Sequence, residues 1–67
     1  MKLAVTRKDR DATVLSQAII PMQRLRKIKF VEWNPRDARE LLIEPRPEHE
    51  AELRGLFASP DYEVREV

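Results

Sequence analysis

Alternation of apolar and polar positions predicts β-strands at both ends of the chain. Residues Lys2–Arg7 are predicted as a short strand, and Tyr62–Val67 alternates with the period of two that is typical of a half-buried strand. Between Arg24 and Trp33 the β-forming residues gather towards the end of the segment, so a further strand is predicted to end near Trp33. The pattern therefore favours a sheet, with the last strand of the chain at a sheet edge.

The segment from residue 12 to residue 20 fits two interpretations. It follows a polar turn over residues 8–11, so it can return as the second strand of an opening hairpin. Apolar residues also recur in it at helical spacing, namely Leu15, Ala18, Ile19 and Met22. Because Pro21 removes a hydrogen bond from any helix that crosses it, the hairpin is the working interpretation and a break is expected near Pro21.

A second hairpin is predicted around the turn residues Asn34–Asp37. If residues 39–44 form the returning strand, one register places Phe30 opposite Ile43, Val31 opposite Leu42 and Lys29 opposite Glu44, which is an attractive charge pair. The alternative is a helix that is capped by Asn34, begins at Pro35 and stops at Pro45. The hairpin is the favoured interpretation, and the helix stays open.

The prolines at 45 and 47 mark a boundary, since neither can continue a strand or a helix interior. After them, glutamates suit the positive end of a helix and Leu53, Leu56 and Phe57 form an apolar stripe, so a helix is predicted over residues 47–58. The expected fold class is α+β: a small, mostly antiparallel sheet with one helix, from the C-terminal half, packed on one face.

The composition limits what this chain can be. With 67 residues there is room for one compact domain, residues 1–67, and a chain without cysteine has neither disulfides nor thiolate metal sites. No apolar run reaches the roughly 20 residues that span a bilayer, and residues 1–8 lack the apolar stretch of a signal peptide. We therefore expect a cytoplasmic protein with no membrane association.

Charge divides the sequence into two halves. Residues 1–30 carry eight Lys/Arg against two Asp, whereas residues 31–67 carry five Arg against ten Asp/Glu, although the net charge is only +1. Such a division indicates either opposed basic and acidic faces or two halves that pair with each other, within a chain or between chains.

No constellation in the sequence points to catalysis. The single histidine, His49, has no His or Asp partner at metal-binding spacing, and neither Ser16 nor Ser59 lies in a glycine-flanked nucleophile elbow. Gly55 stands alone, which excludes a glycine-rich phosphate loop. We therefore expect no enzymatic activity, no catalytic residue, no metal, no cofactor and no small-molecule substrate.

One basic cluster has the composition of a nucleic-acid contact. It interleaves cations with apolar residues before Trp33, and its members are Arg24, Arg26, Lys27 and Lys29. Cations bind phosphates and exposed aromatic rings stack on bases. With a net charge of +1, the favoured interpretation is that these cations line a solvated face, and nucleic-acid binding is kept as the alternative function.

The predicted hairpin leads to a different hypothesis. In its register both sheet faces are partly apolar, and one helix covers only one of them. The second face is then covered by residues 12–22 or by another molecule. The leading hypothesis is a small protein-binding module: a regulator, adaptor or inhibitor that occupies a surface of a larger partner or forms a homo-oligomer. Its predicted contact residues are Val31, Trp33 and Leu42.

Overall fold

Four strands form one antiparallel sheet in the computed structural model, which describes residues 2–67. The sheet order is β2-β3-β1-β4, so the first strand lies in the middle and β2 and β4 form the two edges. The elements in chain order are β1 Leu3–Arg7, α1 Ala12–Arg24, β2 Ile28–Asn34, β3 Asp37–Pro45, a 3-10 turn Pro47–His49, α2 Glu50–Leu56 and β4 Tyr62–Glu66. This βαββαβ order is the ferredoxin-like, split βαβ arrangement.

The small α+β fold predicted from the sequence is confirmed. The strand near the N-terminus, the second hairpin and the edge strand at the C-terminus are present. The helix expected over residues 47–58 begins as a 3-10 turn at Pro47 and continues as α2 to Leu56. The helical alternative for residues 35–43 is wrong, because Pro35 and Arg36 form a turn and β3 occupies the rest.

The opening hairpin was the wrong interpretation of residues 12–20, which lie in α1. Asp11 caps this helix by accepting a hydrogen bond from Val14 N at 3.1 Å. The helix passes through Pro21 without stopping and ends at Arg24. The physical reason is burial: Leu15 and Ile19, one turn apart, both reach the core, and that gain offsets the one hydrogen bond that Pro21 cannot make.

Both helices cover the same face of the sheet, which is called the helix face below. The core on that face joins buried side chains from three strands and both helices, namely Leu3, Val5, Leu15, Ile19, Ile28, Leu41, Ile43, Leu53 and Phe57. One alternative from the sequence was that residues 12–22 cover the second face. That alternative is wrong, because α1 lies on the helix face. Among residues 2–67 no helix lies on the second face, which is called the open face.

The predicted hairpin register is wrong by one residue. Val31 pairs with Ile43 and Phe30 pairs with Glu44, and the register shifts at both ends of this stretch, between Trp33 and Asn34 next to the turn and at a bulge between Ile28 and Phe30. The bulge inserts Lys29 as an extra residue, so the expected ion pair of Lys29 with Glu44 still forms, at 3.7 Å. The observed register directs Val31, Trp33, Leu41 and Ile43 to the helix face, and it leaves Phe30 and Leu42 on the open face.

Candidate partner-binding site

The edge strand β2 is the most apolar exposed border of the sheet. Trp33 is 40% exposed on the helix face and Phe30 is 39% exposed on the open face. On the outer side of β2 the described part of the chain places no further strand. An uncovered strand edge offers main-chain donors and acceptors to any extended segment that lies beside it.

A groove of about 170 Å³ runs between β2 and α1. Its floor is apolar, formed by Ile19 and Leu41 together with half-buried Val31, and Trp33 stands at its margin. The polar residues Ser16 and Gln23 supply its wall on α1. An apolar floor with a few polar groups at the margin is the usual make-up of a protein recognition site.

The wall on α1 follows from helical spacing. Ser16, Ile20 and Gln23 are separated by four and three residues, so they share one side of the helix. Ile20, which is 41% exposed, therefore extends the apolar surface outward from the groove. Sequence reasoning missed this wall because residues 12–20 were interpreted as a strand, although the helical spacing was visible.

The opposite edge of the sheet, β4, is protected by charge. Arg54 from α2 pairs with Glu66, and Arg65 pairs with Glu40 on the open face at 3.0 Å. Glu63 is a further charged residue of this five-residue strand. Charged side chains on an edge strand discourage the addition of another strand. The two edges therefore differ, and β2 is the one suited to a partner.

Only two of the three residues predicted to contact a partner lie together. Val31 and Trp33 line the groove on the helix face, whereas Leu42, opposite Glu32, lies half-exposed on the open face. The sequence-based grouping of Val31 with Leu42 was wrong because it rested on the register without the bulge. The three residues therefore belong to two different surfaces.

The open face contains an ordered polar network around Glu40. This side chain is nearly buried, at 9% exposure, and its carboxylate accepts hydrogen bonds from Asn34 Nδ2 at 2.7 Å and from Arg65 Nη2 at 3.0 Å. These two donors, Asn34 first, hold the pKa of Glu40 below its ordinary value. Beside this network lies a depression of about 190 Å³, and the buried small residues Ala4 and Thr6 are among the residues that line it.

The basic cluster predicted for nucleic acid is partly neutralised. Lys27 pairs with Glu52 of α2, and Lys29 pairs with Glu44 of β3. The first pair also holds the pKa of Glu52 below its ordinary value. Arg24 ends α1 and Arg26 lies in the following turn; neither side chain forms an ion pair within residues 2–67. Two of the four cations are therefore free to meet a phosphate.

The remaining chemistry-bearing residues do not converge on a site. His49 lies at the end of the 3-10 turn with Nδ1 3.4 Å from Glu52 Oε1. Residues 2–67 contain no group of three or more His, Asp or Glu side chains arranged to hold a metal ion. None of the helices in the same residues is long and apolar enough to cross a membrane.

Compared with known proteins, the chain matches no family model, no curated protein and no solved structure. The βαββαβ arrangement carries many unrelated functions, so the topology alone assigns none. Function is therefore argued from the edge of β2 and the groove beside it.

Proposed function

We propose that this protein is a non-catalytic protein-binding module that takes up an extended segment of a partner along the edge of β2. The observation that carries the proposal is the coincidence of an uncovered strand edge with an apolar groove and an exposed tryptophan at its margin. In this mode main-chain hydrogen bonds supply affinity, and a pocket for every second side chain supplies specificity.

The geometry assigns different roles to the residues around the groove. Trp33 is the expected anchor, because large aromatic rings dominate binding energy at protein interfaces. Val31 forms part of the floor, where it is half-buried and fixed by core packing. Gln23 and Ser16 lie where they can pair with polar groups of the incoming segment. A partner segment with an apolar side chain at alternate positions fits this arrangement best.

Nucleic acid is less well supported as the ligand. Two of the four predicted cations are held in ion pairs, and the open face carries four glutamates, Glu32, Glu40, Glu44 and Glu63. Phosphate contacts dominate nucleic-acid affinity, and on this face the four glutamates outnumber the cations Lys2 and Arg65, so the face as a whole repels phosphates. Within residues 2–67 the two central strands also offer no aromatic stacking platform, since the paired open-face residues there are Ala4, Thr6, Glu40, Leu42 and Glu44.

The proposal is tested by selecting binders from a random peptide library and mapping the best one on the protein by amide chemical shifts. We expect the largest shift changes in β2 and along the Ser16–Gln23 side of α1. Replacing Trp33 with alanine is expected to weaken binding at least ~10-fold, since interface tryptophans are frequent anchors.

Val64→Ala is the matched control, because Val64 is exposed to the same degree, 39%, on the opposite edge strand. We expect this variant to bind like the wild type. Shift changes confined to β4, or a folded Trp33→Ala variant with full affinity, would contradict the proposed site. Selected binding that is lost between 0.05 and 0.5 M salt would instead favour an electrostatic ligand and the basic cluster.

A further inference from the structure

The charge pattern of the open face is complementary to the same face of a second copy. The register places Glu32 of β2, Leu42 of β3, Ala4 of β1 and Arg65 of β4 side by side in one row across the sheet. One end of this row is therefore negative and the other positive, with two apolar residues between them. Glu32 is exposed and forms no ion pair within residues 2–67, and the side chain of Arg65 is 63% exposed.

We propose that the open face is a homodimer interface, in which two copies stack sheet on sheet about a twofold axis parallel to the strands. This rotation places β2 of one copy over β4 of the other, and β3 over β1. Glu32 then faces Arg65 of the second copy, and the reverse contact forms at the other end of the row. Contacts made twice in this way are the rule for a twofold interface.

The alternative twofold axis, perpendicular to the strands and along the row, is disfavoured by the same charges. It would place Glu32 of one copy over Glu32 of the other, and Arg65 over Arg65, so that like charges meet at both ends of the row. Like charges opposed across an interface cost affinity and exclude that arrangement. Aligned packing of two sheets, with the strands about 30° apart because of sheet twist, is also a common geometry.

The apolar centre of the row is complementary in shape as well. Leu42 stands half-exposed on β3, and the depression of about 190 Å³ lies around Ala4 and Thr6 on the neighbouring strand. Under the proposed rotation Leu42 of each copy faces Ala4 of the other. A large side chain thus meets a depression that has Ala4 and Thr6 in its lining and Glu40, Glu63, Val64 and Arg65 around them, as interdigitated side chains do in sheet interfaces.

A second row repeats the charge match. Lys2 lies one step beyond the paired residues Leu3 and Ile43, beside Glu44 of the same chain. Stacking β1 on β3 of the second copy brings Lys2 of each copy towards Glu44 of the other. The same rotation also brings Thr6 towards Glu40 of the second copy, where a hydroxyl can donate to a carboxylate.

The dimer goes beyond the proposed partner site, and the two share one residue, because Glu32 also lines the groove. Trp33 and the groove lie on the helix face, so they stay accessible when the open faces stack. The open face is about 19 Å wide, for four strands ~4.8 Å apart. That width corresponds to a small interface, so we expect dissociation at micromolar concentrations.

The test is sedimentation velocity over a range of about 1 to 500 µM protein at low salt. We expect the wild type to dimerise and Glu32→Arg to weaken dimerisation at least ~10-fold, because two arginines then meet at each end of the row. The control is Glu48→Arg, which makes the same charge change at an exposed residue of the 3-10 turn. It is expected to dimerise like the wild type.

The decisive experiment mixes two variants, neither of which is expected to form a homodimer. Arg65→Glu opposes two glutamates in its own homodimer, but mixing it with Glu32→Arg restores opposite charges at both ends, so a one-to-one heterodimer is expected. Circular dichroism checks that Arg65→Glu stays folded without its pair to Glu40; if it does not, Glu32→Arg alone decides. A wild type that is monomeric throughout, a Glu32→Arg variant with unchanged dimerisation, or two folded variants that do not pair would overturn the proposal.

Discussion

At the scale of single residues, Glu40 shows how a charge is retained close to the interior. It lies in the longest strand and is almost hidden from water, and such a carboxylate is costly unless it is paired. Asn34 and Arg65 supply the pairing from the two edge strands of the sheet. No buried side-chain nitrogen or oxygen lacks a hydrogen-bond partner among residues 2–67, so the network is complete there.

The Glu40 network makes stability depend on pH in a defined direction. The pKa of Glu40 is lower in the folded protein than the value of about 4.3 for an unfolded glutamate. Its stabilisation is therefore fully present above that unfolded value and is lost as the pH falls through the folded pKa. We expect Glu40→Gln to be less stable than the wild type by ~1–2 kcal/mol at pH 7, the size of a charged hydrogen bond.

Urea unfolding at pH 7, 5, 4 and 3 measures this difference. It should shrink as the pH falls below the unfolded value, because the wild-type carboxyl becomes protonated as the pH passes its lowered pKa and then resembles the amide. Glu48→Gln, at an exposed residue without an ion pair within residues 2–67, is the control and should show little difference at any pH. A Glu40→Gln deficit that stays constant from pH 7 to pH 3 would show that the stabilisation does not come from the charge.

At the scale of elements, the end of α1 departs from the usual sequence of a helix terminus. Lys27 N donates to Met22 O at 3.0 Å and Arg26 N donates to Gln23 O at 3.0 Å, which is the Schellman pattern. The residue that turns the chain is Arg26, with φ of 56°. Glycine usually occupies this position, because its lack of a Cβ removes the steric cost of a left-handed conformation.

Replacing Arg26 with glycine is therefore expected to stabilise the protein. The gain should be about 0.5–1 kcal/mol, since relief of the left-handed strain exceeds the extra backbone entropy of glycine in the unfolded chain. Arg24→Gly is the matched control: it removes the same charge two residues earlier, at a helical residue, and should destabilise the protein by about 1 kcal/mol. Thermal unfolding of both variants compares them; Arg26→Gly less stable than the wild type would contradict the prediction.

Local signals in the sequence predicted some elements well and failed at two others. Proline at the start and an apolar stripe identified the region of α2, and alternation identified β1 and β4. The same local rules misled at Pro21, because a tertiary gain from burying Leu15 and Ile19 decides that segment. The register shifts between Ile28 and Phe30 and between Trp33 and Asn34 leave no local signal, and the register between them is what separates Val31 from Leu42. The sequence therefore predicted correctly which strand carries the candidate site, but not which side chains share a face of the sheet.

At the scale of the whole molecule, the topology explains the division of charge along the sequence. The strand β1, from the basic half, lies between β3 and β4 of the acidic half. Within residues 2–67 three ion pairs join the halves, Lys27 with Glu52, Lys29 with Glu44 and Arg10 with Asp37. The cations of the first half are therefore partly paired with the acids of the second half within one chain. The charge division is therefore no evidence of an anionic ligand.

The size of the molecule connects its stability to its association. A domain of about this length gains little from a single core, and with no cysteine it has no disulfide to compensate. Here the core lies entirely on one side of the sheet, and the open face leaves Leu42 and Phe30 partly exposed to water. Stacking two open faces would remove these side chains from water and add a second apolar layer. Folding and dimerisation are then expected to be coupled.

Coupled folding and dimerisation predict a melting temperature that depends on protein concentration. Each tenfold increase in concentration favours a dimer by about 1.4 kcal/mol, or ~0.7 kcal/mol per chain. For a domain of this size, 1 kcal/mol corresponds to about 4–8 °C, so we expect a rise of ~3–6 °C per tenfold increase if the dimer persists to the transition. Calorimetry between about 10 and 500 µM measures it, and Glu32→Arg should melt at one temperature throughout because its charges prevent stacking. Equal concentration dependence in both proteins would show that any association uses a surface other than the open face.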